Sequence, residues 1–538
     1  MTADPELKFS LLTEALIRYR RVADGGTVRA SLPQLLVALA ADEVRDYPAL
    51  RPHQRHPWHA FLVQLAVIAL HHADRTEPFA TADEWQAALL ALTLDDPDGA
   101  AWCLVTPPDR PAFMQAPVPT WEDEEWLDVV GTADRLDMLA TSKNHDLKSE
   151  RMRLGNLEDW LFALVSLQTQ AGSNSPKHRG ISRMNSGDGS RSGVGVSPVG
   201  NIGKRWERDV RLLLSARART AERFGLKETQ GIALVWLVPW DGLSRIAFAR
   251  LDPYYIEICR RIRLLADSIR LYARRSQTPV PRIDADARKG ATGDPWVPIN
   301  VSDPAAAKAL TIGSGGFDYE LVCELLFGIK GTYHSGIAQD VAGVDQRERY
   351  VLLARGVARG KDKTAGFHER RVPISPKVRS LLAQRNKDRL ALLAGQRIAA
   401  IGDVRKLLWF ALTVLFNNGN AGATNSDSVK DKATNFSKPF EKAEDARFFD
   451  DLNDEVEAED PQAQRLQWLQ RLVVHAESVL ERAFVVGPRN GIQRYRAQSV
   501  ALSRFHGALR GDKSPLPELA HHYRQQAEQK MEEANEHF

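Results

Sequence analysis

The sequence predicts an α+β protein: a large mixed α/β N-terminal domain over residues 1–375, then a four-helix bundle with a C-terminal tail over 376–538. Three observations carry that expectation. Before Pro376, short β-branched or proline-bounded apolar runs alternate with segments of helical period. After it, nearly every segment has helical period, separated by polar connections. A length of 538 residues, with 43% hydrophobic and 26% charged residues, matches a globular chain able to build a large core.

The elements follow in order. Residues up to about 30 alternate apolar and polar around Asp24-Gly25-Gly26 and read as a hairpin. SLPQLLVALA opens with Ser31 as an N-cap, with Pro33 in the first turn. WHAFLVQLAVIALHHA is an apolar helix ending in His71 and His72, which favour the negative end of its dipole. Thr81 caps TADEWQAALLAL, and the proline-dense AWCLVTPPDRPAFMQAPVP reads as strand and turns. The acidic stretch 120–128 reads as a solvated face. GNLEDWLFALVSLQTQ is a helix with Leu157, Leu161, Leu164 and Val165 on one stripe. Residues 205–223 form a charged helix, and GIALVWLVPW a buried strand. LDPYYIEICRRIRLLADSIRLYARR is expected to be a helix with several arginines, and FDYELVCELLFG a short one. Residues 349–375 read as a hairpin with a cationic tip at 359–366. Bundle helices are expected over 378–416, 438–456, PQAQRLQWLQRLVVHAESVLERAF and NGIQRYRAQSVALSRFHGAL. Residues 419–437 are expected to be a polar connection, and the tail after Pro515 a frayed fifth helix.

The stretch 167–203 stands apart. It is rich in Gly and Ser and carries Lys177, His178, Arg179, Arg183 and Arg191 without apolar periodicity. Glycine lets a backbone approach a ligand closely, and clustered cations favour a polyanion. The functional reading is a nucleic-acid-contacting loop; the competing one is a solvated flexible insertion. A second cationic span, with Lys143, His145, Lys148, Arg151 and Arg153, precedes the helix that leads into it.

Net charge is only +3, so any nucleic-acid surface must be local. Cys103, Cys259 and Cys323 lie far apart and fit a reducing compartment. The first residues lack the build of a signal peptide, and runs such as 62–70 are too short to span a bilayer. A cytoplasmic protein without a membrane partner is expected. No P-loop, GxSxG, HExxH or zinc-spaced Cys/His set occurs. His368, beside Glu369, Arg370 and Arg371, is the most reactive-looking cluster, with a structural salt-bridge role as its competitor. No catalytic residue, metal or cofactor is expected.

The order of parts resembles one family, the large subunit of the type I-E CRISPR surveillance complex Cascade, also called CasA. AFMQAP (112–117) looks like the family's FMQ segment; a cationic loop, a helix and a Gly-rich loop follow. ALVWLVPW looks like its mid-domain strand, and PWVPINVSDPAAAK (295–308) like a Pro-rich segment ending in lysine. The basic hairpin ending in HERR and the terminal helices complete the likeness, which spans nearly the whole length. The resemblance implies a non-catalytic subunit that reads the protospacer-adjacent motif (PAM) on double-stranded target DNA. It implies local unwinding so that guide RNA pairs and an R-loop forms. The implied partners are the CRISPR guide RNA, other Cascade subunits and a recruited nuclease or nuclease-helicase.

By the same resemblance the Gly-rich loop falls on 173–187, with Lys177, His178, Arg179, Gly180 and Arg183 as DNA contacts. A lysine finger falls on Lys308, with Lys289 as the second candidate. A wedge falls on the hairpin tip at Lys361, Lys363 and Thr364, where threonine replaces the family's glutamine. Lys143, Asn144, His145 and Lys148 match the family's first loop, near the guide RNA. The alternatives are a nuclease with unrecognised carboxylates and a purely protein-binding helical scaffold.

Overall fold

A computed structural model describes residues 7–137, 155–173, 175–185, 190–267, 270–341, 348–360, 363–384, 387–422 and 426–536. The chain divides into two compact units, one of residues 1–317 and 331–372, the other of residues 318–330 and 373–538.

The first unit is built around α2 (Arg55–His72), whose residues from His56 through Leu70 are all buried. A helix apolar on every side must be surrounded, and this one is. α1 (Leu32–Ala40) starts from Ser31 in a full capping box with Gln34. α3 (Ala82–Ala91) starts from Thr81 in another with Glu84. α4 (Leu157–Gln170) and α5 (Ile202–Phe224) bring Trp160 and Trp206 into the same core as Trp58, all nearly inaccessible. The Trp206 indole donates to the Leu62 carbonyl at 3.2 Å, and His59 meets Asp209 at 2.9 Å, so α2 and α5 are tied by polar as well as apolar contacts. α5 ends at Gly225, whose φ of 69° suits glycine.

The strands among the described residues form seven small sheets of two or three strands rather than one platform. The N-terminal hairpin expected around Asp24 is present as Ile17–Arg21 paired with Thr27–Ala30. The expected strand at 231–240 is shorter, Ile232–Leu234 followed by a 3-10 turn. The largest departure is at 251–275, where the expected helix is three strands, Leu251–Ile256, Ile262–Ala266 and Leu271–Arg275. The last two pair antiparallel with Leu264 opposite Ala273, and Asp128–Val130 adds a third strand. The physical reason lies in the arginines. Arg260 and Arg263 are buried and spend their donors on carbonyls, Arg260 on Gly172 at 2.8 Å and Arg263 on Pro107 at 2.8 Å. They are interior struts, not a solvated helical face. Pro253 and the aromatic, β-branched run Tyr254-Tyr255-Ile256 agree with strand.

The second unit holds α6 (Tyr319–Phe327), α7 (Pro376–Ala383), α8 (Lys387–Phe416), α9 (Asp427–Glu457), α10 (Pro461–Ala483), α11 (Gly491–Arg510) and α12 (Pro517–Glu536). The pattern expected as one helix over 378–416 is thus split between α7 and α8. The polar connection is shorter than expected, because Ser426 caps α9 by accepting from Val429 and the helix runs through Pro439. Leu408, Leu412, Phe440, Phe448, Trp468, Leu469 and Leu472 fill the interior of α8, α9 and α10. Arg397 on α8 lies over the Trp468 ring at 4.2 Å and pairs with buried Glu455 on α9 at 2.6 Å. α6 belongs here although it precedes the hairpin in sequence. Tyr319 stacks on Phe448 at 4.9 Å, and its amide donates to Asp445 at 2.6 Å.

Candidate nucleic-acid interface

α4, capped by Asn156 with Asp159 in a capping box, delivers the chain into the Gly-rich stretch. The described residues of that stretch are tied down rather than free. Ser175 to His178 is a tight turn, closed by the His178 amide donating to the Ser175 carbonyl at 3.1 Å. It is stitched to Thr278, whose amide donates to Lys177 O at 2.7 Å while the Arg179 amide donates to Thr278 O at 3.0 Å. The Gly180 amide donates to Ser173 Oγ at 3.0 Å. Gly180 has no room for a side chain: a Cβ would lie 2.5 Å from Gly172 C and Ser173 N. Lys177 and Arg179 are exposed and His178 is half-buried. Burial, then Arg260, pulls the His178 imidazole below its ordinary pKa, so it faces solvent as a neutral group at pH 7. Arg179 spends its Nε on Pro279 O at 3.2 Å.

Arg183 is the correction within this set. Its side chain is 1% exposed, so it is not a surface cation. It donates to Tyr255 O at 2.6 Å, meets Asp294 at 3.2 Å and covers the Tyr255 ring at 3.9 Å. Arg191, buried as well, meets the same Asp294 oxygen at 2.7 Å. Burial raises the Asp294 pKa, but Arg191 and Arg183 outweigh it and hold the carboxyl below its ordinary range. Both arginines therefore anchor the two ends of the loop. The end of the stretch also departs from the irregular backbone expected, because Gly193–Pro198 is a fully buried strand.

That strand carries the loop to the hairpin. It pairs antiparallel with Tyr350–Gly360, Gly193 opposite Arg355. The hairpin strand continues five residues past that register to Gly360, about 16 Å at roughly 3.3 Å per residue. It therefore projects from the end of the sheet at which the Gly-rich loop enters. Lys361 lies outside the described residues; Lys363 and Thr364 open the return strand Lys363–Ile374, but their side chains lie outside them. The first-loop residues Lys143, Asn144, His145 and Lys148 also lie outside them.

The lysine segment completes the cluster. Lys289, half-buried, adopts φ 46° and its carbonyl accepts from the Ala309 amide at 2.9 Å, which sets it beside exposed Lys308. A cavity of about 70 Å³ is lined by Arg179, Gly180, Ser182, Met184 and Lys289, so loop and lysine segment share one wall. Ser192 Oγ donates to Leu310 O at 3.4 Å, and Ser190 Oγ to Val357 O at 2.8 Å. Three segments read separately from the sequence are thus laced together. Thr278, Ser190 and Asp294, which do the lacing, carry no local sequence signal.

The His368 cluster is structural. Glu369 is held by Arg355 at 2.7 Å, Arg370 donates to Phe317 O at 2.8 Å, and the His368 ring packs on Gly316, where a Cβ would come within 2.5 Å. Among the described residues no three His, Cys, Asp or Glu side chains gather as metal ligands, and no helix is long and apolar enough to cross a membrane.

No family model matches the sequence, and no curated protein matches it. Solved structures do match. The CRISPR-associated protein Cse1 of Acidimicrobium ferrooxidans is similar at TM-score 0.65 and 16% identity, over 94% of this chain and 98% of that one. CasA of Thermus thermophilus is similar at TM-score 0.62 and 12% identity, over 93% and 98%. Cse1 of Thermobifida fusca is similar at TM-score 0.60 and 14% identity, over 95% and 98%. Over more than nine-tenths of its length, the chain has the fold of the Cse1/CasA proteins.

Proposed function

We propose that this chain is the non-catalytic large subunit of an RNA-guided Cascade complex, recognising the PAM on double-stranded DNA. One observation carries the reading. A fold shared over more than nine-tenths of both chains with Cse1/CasA proteins holds the Gly-rich turn, the lysine segment and the hairpin base together at one end of a sheet. The roles follow from their chemistry. The minor groove offers few distinguishing donors and acceptors, so a short contact by Lys177, Arg179 and a lysine at 289 or 308 reads it tolerantly. Gly180 lets the turn lie flat, and a stiff hairpin pushed between base pairs trades unstacking for phosphate contacts. Sequence beyond the PAM is then read by guide RNA pairing as the R-loop forms. Other Cascade subunits, the guide RNA and a recruited nuclease are the partners, with Lys143, Asn144, His145 and Lys148 toward the RNA.

The test uses the assembled complex. Lys177→Glu with Arg179→Glu should weaken binding to PAM-bearing duplex by at least roughly tenfold. It should also make the plot of log K against log salt shallower, by about one in slope for each phosphate no longer neutralised. Binding unchanged across several salt concentrations would end the proposal. Metal-dependent cleavage of DNA by the isolated chain would favour a nuclease instead.

A further inference from the structure

A second cavity in the first unit lies away from the Gly-rich loop. It measures about 410 Å³ and is lined by Arg20, Arg45, Arg55, Arg205, Arg355 and Arg371. Ser197 and Pro198, at the far end of the strand that the loop enters, form part of its wall. Asp46 is the one carboxylate in the lining. It takes Arg20 at 2.6 Å, with Arg45 at 3.9 Å. Glu369 takes Arg355 at 2.7 Å, with Arg55 at 3.9 Å. Four of the six guanidinium groups thus share two carboxylates, while Arg205 and Arg371 have no hydrogen bond or ion pair among the described residues, Asp209 and Glu369 acting on Arg205 only through space.

We propose that this cavity binds a nucleoside phosphate, either free or as the phosphorylated end of a nucleic-acid strand. Guanidinium groups are the side chains best matched to phosphate, offering paired donors in one plane. A partly enclosed cluster of like charges is unfavourable until an anion enters it. Burial, then Arg355, draws the Arg205 pKa down to about 9, so it remains a cation at neutral pH. The volume exceeds what orthophosphate needs and falls in the range of small-molecule pockets. Tyr47, Trp58 and Trp206 supply aromatic wall for the rest of a nucleotide. The Tyr47 hydroxyl and the Trp58 indole N–H are buried without a hydrogen bond of ordinary geometry. The start of α5 also lines the cavity, but Asp42 already accepts from the Lys204 amide at 3.1 Å, so the arginines rather than the helix end make the site.

The experiment is a titration of the full chain, without guide or duplex, with pyrophosphate, adenosine mono- and triphosphate, and a short single strand with and without a 5′-phosphate. Saturable binding of the phosphate-bearing probes is expected. Arg205→Gln and Arg371→Glu should each weaken it by roughly tenfold, with the ligand-free thermal midpoint unchanged. Arg371 is exposed, so its variant keeps the test open if the Arg205 change perturbs folding. A phosphorylated strand that outcompetes the mononucleotides assigns the site to a strand end; the reverse order assigns it to a free nucleotide. No saturable binding, parental affinity in both variants, or equal binding of phosphorylated and unphosphorylated strands would overturn the proposal. Because duplex is absent, failure here leaves the PAM reading untouched.

Discussion

At the residue scale, two groups show how little latitude the interior leaves. Gly180 faces backbone at 2.5 Å, whereas a Cβ on Gly315 would meet nothing within 4 Å. Gly180→Ala should therefore cost about 1–3 kcal/mol and displace the turn, while Gly315→Ala stays within about 0.5 kcal/mol. Urea unfolding of the two variants decides it, and equal midpoints would refute the packing argument. His59 is the second group. Burial, then Arg205, lowers its pKa from 6.5 to about 4, and its ring pairs with Asp209 as a neutral donor. The folded state binds fewer protons than the unfolded one across that window. Stability from this group is thus complete above about pH 6.5 and is lost as pH falls toward 4, by roughly 2–3 kcal/mol. Denaturant titrations at pH 7 and 4.5 should show the loss, and His59→Gln should reduce it. An identical pH slope in that variant would count against His59 as the source.

At the element scale, what could be read in advance was what local chemistry dictates. Caps at Ser31 and Thr81, the apolar α2, the basic hairpin and the amphipathic α10 and α11 announce themselves through side chains within a few residues. The misreadings are places where distant contacts decide. The arginines of 260–263 look like a solvated helical face until the carbonyls of residues 106, 107 and 172 are seen to hold them. Arg183 looks like a DNA contact until Asp294, more than a hundred residues on, claims it. Of the candidate interface, the Gly-rich cationic stretch is visible in local composition, whereas the adjacency of Arg179 and Gly180 to Lys289 depends on a fold no local pattern encodes. The bundle supplies its own test. Glu455→Ala should cost about 3–5 kcal/mol by leaving Arg397 buried and unpaired, whereas Arg397→Met with Glu455→Leu should be near neutral. Thermal unfolding of both variants checks it; a mild effect of the single change would show that water reaches Arg397.

At the scale of the whole molecule, the second unit is assembled from two separate stretches of chain. A fragment of residues 373–538 lacks Tyr319 and should leave its place against Phe448 bare. It is expected to melt several degrees below the same fragment with 318–330 joined through a flexible linker. Matching melting curves would show α6 to be a passenger. The arrangement also sets a schedule for synthesis. Ribosomes release α6 before any of the helices it packs against, so LVCELLF waits uncovered until the last third of the polypeptide has emerged. A protease cutting at one junction would, for the same reason, leave the two units joined by further covalent crossings at 317/318, 330/331 or 372/373.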